Sequence, residues 1–268
     1  MVKIKIALTW LAFMILLVII GPVISTQQAD IIHWDAMAQA PNGTFWFGTD
    51  VMGRDLFVRT LLGGRLSLMV AFIATAMSLL IGVSYGLFSG YRGGVVDAVM
   101  MRFLDVLYAL PFLFLVILLL VFFGQHIGLL FAAIGGYIWL DTARIVRGQT
   151  LVIKKQAYME AAVTMGQSTP RILSKHILPN LIGVVVVYAT LTVPQVILIE
   201  SFISFLGLGV QEPNTSWGTL ISEGVDNLQI APWSLFIPAG FLSLTLIAFN
   251  LLGDGLRDYW DPHNLGLR

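Results

Sequence analysis

The 268-residue chain is 57% hydrophobic and 11% charged, has a mean hydropathy of +0.87 and balances 15 Lys and Arg against 15 Asp and Glu. That composition excludes a soluble globular domain, because most of the chain must face lipid or other apolar helices. Zero net charge points to neither a nucleic-acid nor an acidic partner, and the absence of cysteine removes disulfides, iron–sulfur clusters and thiol catalysis.

A bilayer core takes about 20 apolar residues per helix, and such runs lie near residues 7–24, 66–90, 103–124, 127–146, 181–204 and 233–253. The expected fold is all-α: a polytopic membrane helix bundle of six transmembrane helices. No linker, low-complexity tract or short repeat divides it, so residues 1–268 read as one membrane domain. Lys3 and Lys5 ahead of the first run, with Val23 and Ser25 after it, also fit a signal peptide, but the run's length favours a retained anchor.

An outer segment is expected over about 25–65. Within it Asp50 and Arg54, and Asp55 and Arg59, stand four residues apart, and Thr49 or Asp50 could cap the helix they would share. The spacing predicts a short amphipathic helix against the outer face. Asp50, Arg54 and Asp55 would either buttress the bundle or touch an external solute-carrying protein. Trp34, Phe45, Trp46, Phe47, Trp217 and Trp233 fit an interfacial aromatic belt. In the second run Gly82, Gly86 and Gly90 recur every four residues, which puts them on one face for close helix packing. Asp97, Arg102 and Asp105 read as interfacial charge near the third run, and Pro111 as a kink within it. Asp141 and Arg144 intrude on the fourth run, whose lipid-buried part is expected to finish near Leu140.

The loop over about 147–179 is the most ordered non-apolar stretch. Ala157–Met165 is built of helix formers and Gly166 can end that helix. Thr169 and Pro170 suit the cap and first turn of a second helix, which Pro179 then closes before the next run. Helix, glycine turn and second helix between two spans form a docking element: Ala157 and Tyr158 open it, the small Ala161 and Ala162 permit close approach, and Glu160 supplies one acid among bases. In the fifth run Pro194 and Gln195 are candidates for a break beside a cavity. Glu200 fits a gate or solute path, or else a carboxylate bonded to the turn at Gly207–Gly209; the second reading is favoured. The outer segment over about 205–232 carries no Lys or Arg.

Lys3, Lys5, Arg92, Arg102, Arg257 and Arg268, together with Arg144, Arg147, Lys154, Lys155, Arg171 and Lys175, lie on segments that the positive-inside tendency places in the cytoplasm, both termini included. His33, His126, His176 and His263 are scattered and there is no HExxH, so no metal site is expected. The glycine pieces lack the Lys then Ser or Thr of a phosphate loop, and no GxSxG is present. With no catalytic constellation, the chain reads as a transport subunit rather than an enzyme. Nucleotide must bind another subunit. A self-sufficient channel or ion-coupled carrier is disfavoured, since the acids cluster near helix ends.

Glu160, Ala161, Ala162 and Gly166, with Ile177, Leu178 and Pro179, resemble the EAA loop of the membrane subunits of bacterial ATP-binding-cassette importers. Phe47–Asp50, Gly53–Asp55, Gly90–Gly94, Ala143–Gln149, Ser204–Gly209, Ser216–Gly218 and Gly253–Asp258 resemble the second, C-type permease of the dipeptide, oligopeptide and nickel branch. The likeness spans roughly 45–262. It implies a second homologous permease, two ATP-binding subunits carrying ATP and Mg, an external solute-binding protein, and a multi-pass place among the lipids of the bacterial inner membrane; this chain itself would carry no cofactor and bind no nucleic acid. It further implies that Glu160 orients the ATPase contact, Gly166 sets its angle as a lever, and Pro179 fixes where the fifth span starts. Oligopeptides are the first-choice solute, with dipeptides, glutathione-like peptides, nickel chelates and sugars left open.

Overall fold

A computed structural model describes residues 2–25, 27–124 and 126–260; His263 and Arg268 lie outside the described residues. Among the described residues the regular structure is helical: α1 (Val2–Ile24), α2 (Leu56–Arg92), α3 (Gly94–Tyr108), α4 (Phe112–Phe123), α5 (Ile127–Lys154), α6 (Ala157–Thr164), α7 (Thr169–Ile172), α8 (Leu178–Phe205), α9 (Trp217–Asp226) and α10 (Trp233–Trp260). Five helical stretches are long and apolar enough to cross a membrane, or six if α3 and α4 count as one span. That matches the expected polytopic bundle. Pro111 does more than kink the third run: α3 and α4 meet at 74° across a break at residues 109–111, because Pro111 disfavours helix at Leu110 and removes a donor.

The centre of the bundle is α2 against α5. A Cβ added at Gly82 would sit 2.5 Å from Thr142 Cβ, at Gly86 2.3 Å from the Ala143 carbonyl oxygen, and at Gly90 2.8 Å from Thr150 Cβ. The glycine stripe is therefore a backbone-to-backbone seam. Around it the apolar core takes in Met14 of α1, Val70 and Ala74 of α2, Ile134 and Ile138 of α5, Val196 and Ile197 of α8 and Phe249 of α10.

Three readings of the membrane edges change. Asp97 is not ordinary interfacial charge. It is buried, accepts from Ser89 Oγ at 2.5 Å and takes two bonds from Arg147, Nε at 2.6 Å and Nη2 at 2.5 Å, which ties α2, α3 and α5 together. Asp105 keeps an exposed pair with Arg144 at 3.0 Å. Nor is Trp217 a belt residue: it is fully buried, and its indole donates to the Thr60 carbonyl at 3.0 Å. Pro179 does not close the loop. The chain stays helical from Thr169 to Phe205 through a π turn at Leu173–Ile177, in which the Leu178 N–H reaches the Leu173 carbonyl. A π turn leaves one carbonyl without its ladder partner, so a proline with no N–H to give is tolerated just after it, and Asn180 Nδ2 donates to the His176 carbonyl at 2.6 Å.

The outer segments also differ from expectation. Among the described residues of 25–55 the helical structure is one short 3-10 turn, Trp34–Ala36, beside an isolated bridge between Thr49 and Asp55; the predicted amphipathic helix over 50–59 does not form. Asp50 accepts from its own loop, from the Met52 and Arg54 N–H groups at 2.9 Å each, and this turn competes with helix. Asp55 does not pair with Arg59. It is the N-cap of α2 and accepts the Val58 N–H at 2.8 Å.

Candidate docking site

The 155–177 loop is fastened before it is presented. Lys154 Nζ donates to the Tyr91 carbonyl at 2.6 Å, which pins the end of α5 to the end of α2. In α6, Met159 and Ala162 stand one turn apart and are both buried, Met159 in a cluster with Val146, Ile172, Ile177 and Leu181. Tyr158, 45% exposed, and Val163, 57%, flank that buried stripe, Met165 just past the helix end is 72% exposed, and Ala157, Glu160 and Ala161 on the far side are exposed as well. Large apolar side chains left in the open on and after an eight-residue helix that is anchored by two others are what a contact surface requires.

Gly166 has φ +74°, and the turn around it carries two backbone bonds, Gly166 N–H to Val163 O at 2.9 Å and Gln167 N–H to Ala162 O at 3.2 Å. These close the end of α6 as a left-handed glycine cap does. Ser168 rather than Thr169 stands at the N-cap of α7, with Pro170 in its first turn. Gln167 Oε1 lies 2.9 Å from His176 Nε2, so the turn is bonded to the π turn. The structure thus brings Ala157, Tyr158, Glu160, Ala161, Ala162 and Gly166 into one element and leaves Pro179 two turns away on α8. Met159, inside the predicted helix but not singled out for docking, packs the element against the bundle. The Asp97–Arg147 pair, which ties α3 to α5, was findable, since the two are opposite charges at the edges of two apolar runs.

At the other end of the molecule Glu200 is 0% exposed. Ser67 Oγ donates to it at 2.9 Å, Ser204 Oγ at 2.7 Å and Ser201 Oγ lies at 3.5 Å, so α2 and α8 meet on one carboxylate. It neither snorkels nor bonds the glycine turn; it is cradled because an intramembrane carboxylate must be fully partnered. The turn does close over the cradle, for a Cβ on Gly209 would lie 1.9 Å from Ser204 Oγ. Helix α8 runs unbroken through Pro194, which is buried, and Gln195 faces outward, exposed. Glu200→Ala is expected to cost about 2–5 kcal/mol, from stranded serine hydroxyls plus a small cavity, with Glu200→Gln milder because it keeps an acceptor. Thermal unfolding in detergent reads both; equal stability of the three proteins would count against the cradle.

Asp50, Arg54 and Asp55, singled out as outer contacts, are turned inward. Asp50 accepts from Arg54 Nε at 2.7 Å and from Arg59 Nη1 at 2.6 Å, and Arg59 also bonds Glu223 at 2.7 and 3.0 Å. Burial pushes Asp55 above the usual carboxylate range, against the pull of the Val58 and Phe57 N–H groups. Arg54 Nη1 also reaches Glu212 at 2.6 Å, a clasp between the two outer segments. That hydrogen bond and the Arg54 charge hold Glu212 below the ordinary glutamate range. A carboxylate lowered in the folded state contributes stability above its ordinary pKa and loses it as pH falls through the lowered value. The stability difference between wild type and Glu212→Gln, read by thermal melts, is therefore expected to persist at neutral pH and vanish only in acid below the ordinary glutamate range. Glu212 is 62% exposed, so the difference will be small.

The family described as binding-protein-dependent transport system inner membrane component matches residues 82–265. The chain is 53% identical over 254 residues to the oligopeptide transport system permease protein OppC of Escherichia coli (strain K12), covering 94% of this chain and 84% of that one. It is 46% identical over 253 residues to the dipeptide transport system permease protein DppC of Bacillus subtilis (strain 168), covering 94% and 79%. It is 38% identical over 229 residues to the glutathione transport system permease protein GsiD of Pectobacterium atrosepticum, covering 85% and 76%.

Proposed function

We propose, from the premise that this chain belongs to the binding-protein-dependent transport system inner membrane component family, that it is the permease subunit through which an ATP-driven bacterial importer passes peptides. Relatives named for oligopeptide and dipeptide transport, at 53% and 46% identity, support peptides ahead of glutathione, whose named relative stands at 38%. The observation that carries the docking role is the exposure of three large apolar side chains on α6 and its end, Tyr158, Val163 and Met165, together with the exposed Glu160.

In this reading a second homologous permease completes the path, two ATP-binding subunits carry ATP and Mg, and a solute-binding protein delivers from outside. The basic residues around the loop, Lys154, Lys155, Arg171 and Lys175, support a cytoplasmic place for α6 and for both termini. One ATPase receives α6 in a cleft. Its closure around ATP favours one arrangement of the bundle over the other, which is how hydrolysis shifts the gate. Gln195, exposed on α8, faces the path; Glu200 holds the path's outer end together. The external protein rests on the outer segments, where Glu212 is one of the exposed charges.

The test is purification of the tagged chain in mild detergent with mass spectrometry of what accompanies it. Two ATPases and a second permease, with the ATPases lost in Glu160→Lys, are expected. A homo-oligomer without any ATPase would overturn the reading and leave a self-sufficient channel.

A further inference from the structure

A cleft of about 710 Å³ opens at the outer end of α2, between that helix and both outer segments. Three arginines line it against two carboxylates, Asp30 and Glu212, so the lining is net positive. Arg54 and Arg59 are already committed to Asp50, Glu212 and Glu223. Arg65 is different: it is exposed, and among the described residues no carboxylate lies within ion-pair distance of it. It stands nine residues into α2, about 14 Å along the axis from Leu56, on the same face as Leu62, Leu66 and Met69, which also line the cleft. It is the last residue before the apolar run at 66–90, and a cation at such an edge faces water or a partner of opposite charge. A second observation converges on the same place. Thr215 in the cleft wall is only 7% exposed, and its Oγ1 is buried with no hydrogen-bond partner. Buried hydroxyls without a partner are uncommon and call for a ligand or a water.

From an unpaired guanidinium and an unsatisfied hydroxyl on one cleft, we propose a transit site for the terminal carboxylate of the solute, with Arg65 as its charge partner and Thr215 as a hydrogen-bond donor. A guanidinium matches a carboxylate with two parallel N–H bonds. The apolar Leu62, Leu66 and Met69 alongside accept side chains without selecting among them. The site contributes to recognition of what every unmodified peptide shares, its C-terminal carboxylate, and it rests on the reading of this chain as a peptide permease.

The experiment compares uptake of one peptide as the free acid and as the C-terminal amide, by the whole importer in proteoliposomes. Wild type, Arg65→Ala, Arg65→Lys and Thr215→Val are measured. Wild type is expected to prefer the free acid. Arg65→Ala should slow the free acid about tenfold, the loss of one charge-assisted pair, and leave the amide unaffected. Arg65→Lys, which keeps the charge but not the two parallel bonds and guards against misassembly of the alanine variant, should restore part of the preference, and Thr215→Val should reduce it by a smaller factor than Arg65→Ala. Equal slowing of both forms by Arg65→Ala would overturn the site and assign Arg65 to contact with a second permease; no slowing of either would overturn it too. A wild-type importer that moves neither peptide would instead overturn the peptide reading itself, and the carboxylate site with it.

Discussion

Gly166→Val is expected to leave the chain inserted and ATP hydrolysis running while peptide uptake falls about tenfold or more. Gly166 holds φ +74°, yet a Cβ there would meet nothing within 4 Å. The penalty is therefore conformational and local: a left-handed backbone costs an L-residue about 1–2 kcal/mol, and a β-branched one suffers most. The chain escapes that cost by changing φ, which re-aims α6 relative to α7 without disturbing the bundle. Since 1.4 kcal/mol is a factor of ten in a population, a shift of this size is enough to empty the seated state. A graded series follows from the same physics. Asn, which tolerates the left-handed region, should couple best, Ala less well and Val worse. Pro should be worst, since it fixes φ near −65° and removes the N–H donated to Val163. The measurement is uptake per ATP hydrolysed in proteoliposomes. Wild-type coupling by the Val and Pro variants would sink the role given to this turn.

Gly86→Leu is expected to act at the opposite level, on assembly. The added Cβ would start 2.3 Å from the Ala143 carbonyl oxygen and 2.9 Å from the Arg147 backbone nitrogen. Backbone cannot step aside like a flexible side chain, so α2 and α5 must separate along the seam at the centre of the bundle. Overpacking of this kind costs about 3 kcal/mol or more when the partner is rigid, and it would also pull Asp97 from Arg147. The protein should fail to accumulate in the membrane, or melt far below wild type in detergent. Gly136→Ala is the matched control, because a Cβ on Gly136, exposed on the same α5, meets nothing within 4 Å; it should be neutral or slightly stabilising. Equal melting of the two variants would mean the seam is not close-packed.

Much of this architecture is legible in the chain because the bilayer imposes a period and a length that composition must obey. The apolar runs, the glycine stripe on α2 and the helix–glycine–helix order of the docking loop are local patterns, and each appears in the structure. What escapes is whatever depends on a distant partner. The spacing of Asp50 and Arg54 predicts a helix, but Arg59, Glu212 and Glu223 draw the same charges into a loop network. Pro179 reads as a stop because nothing local shows that a π turn four residues earlier has displaced the hydrogen-bond ladder. Glu200 alone leaves a path residue or a bond to the glycine turn open, with the turn favoured; only the convergence of Ser67 from α2 shows that it is enclosed among serines. The helix and glycine turn from Ala157 to Gly166 are readable as one unit because they lie within ten positions of one another. The Arg147–Asp97 pair that joins α5 to α3 is not, because its members are 50 residues apart in sequence.

The uninterrupted helix from Thr169 to Phe205 gives the molecule a stiff shaft of 37 residues, about 55 Å long at an α-helical rise, well beyond the roughly 30 Å of hydrocarbon it crosses. Its near end is bonded to the docking loop through His176 and Gln167, and its far end carries Glu200, the carboxylate that Ser67 of α2 holds. A rotation of about 5° of the shaft as one body about its midpoint carries its two ends about 2 Å in opposite directions, simple geometry from that length. Torque applied at one membrane face is thus delivered at the other within a single covalent piece. A displacement of 2 Å is enough to part the 2.9 Å hydrogen bond by which Ser67 of α2 holds Glu200.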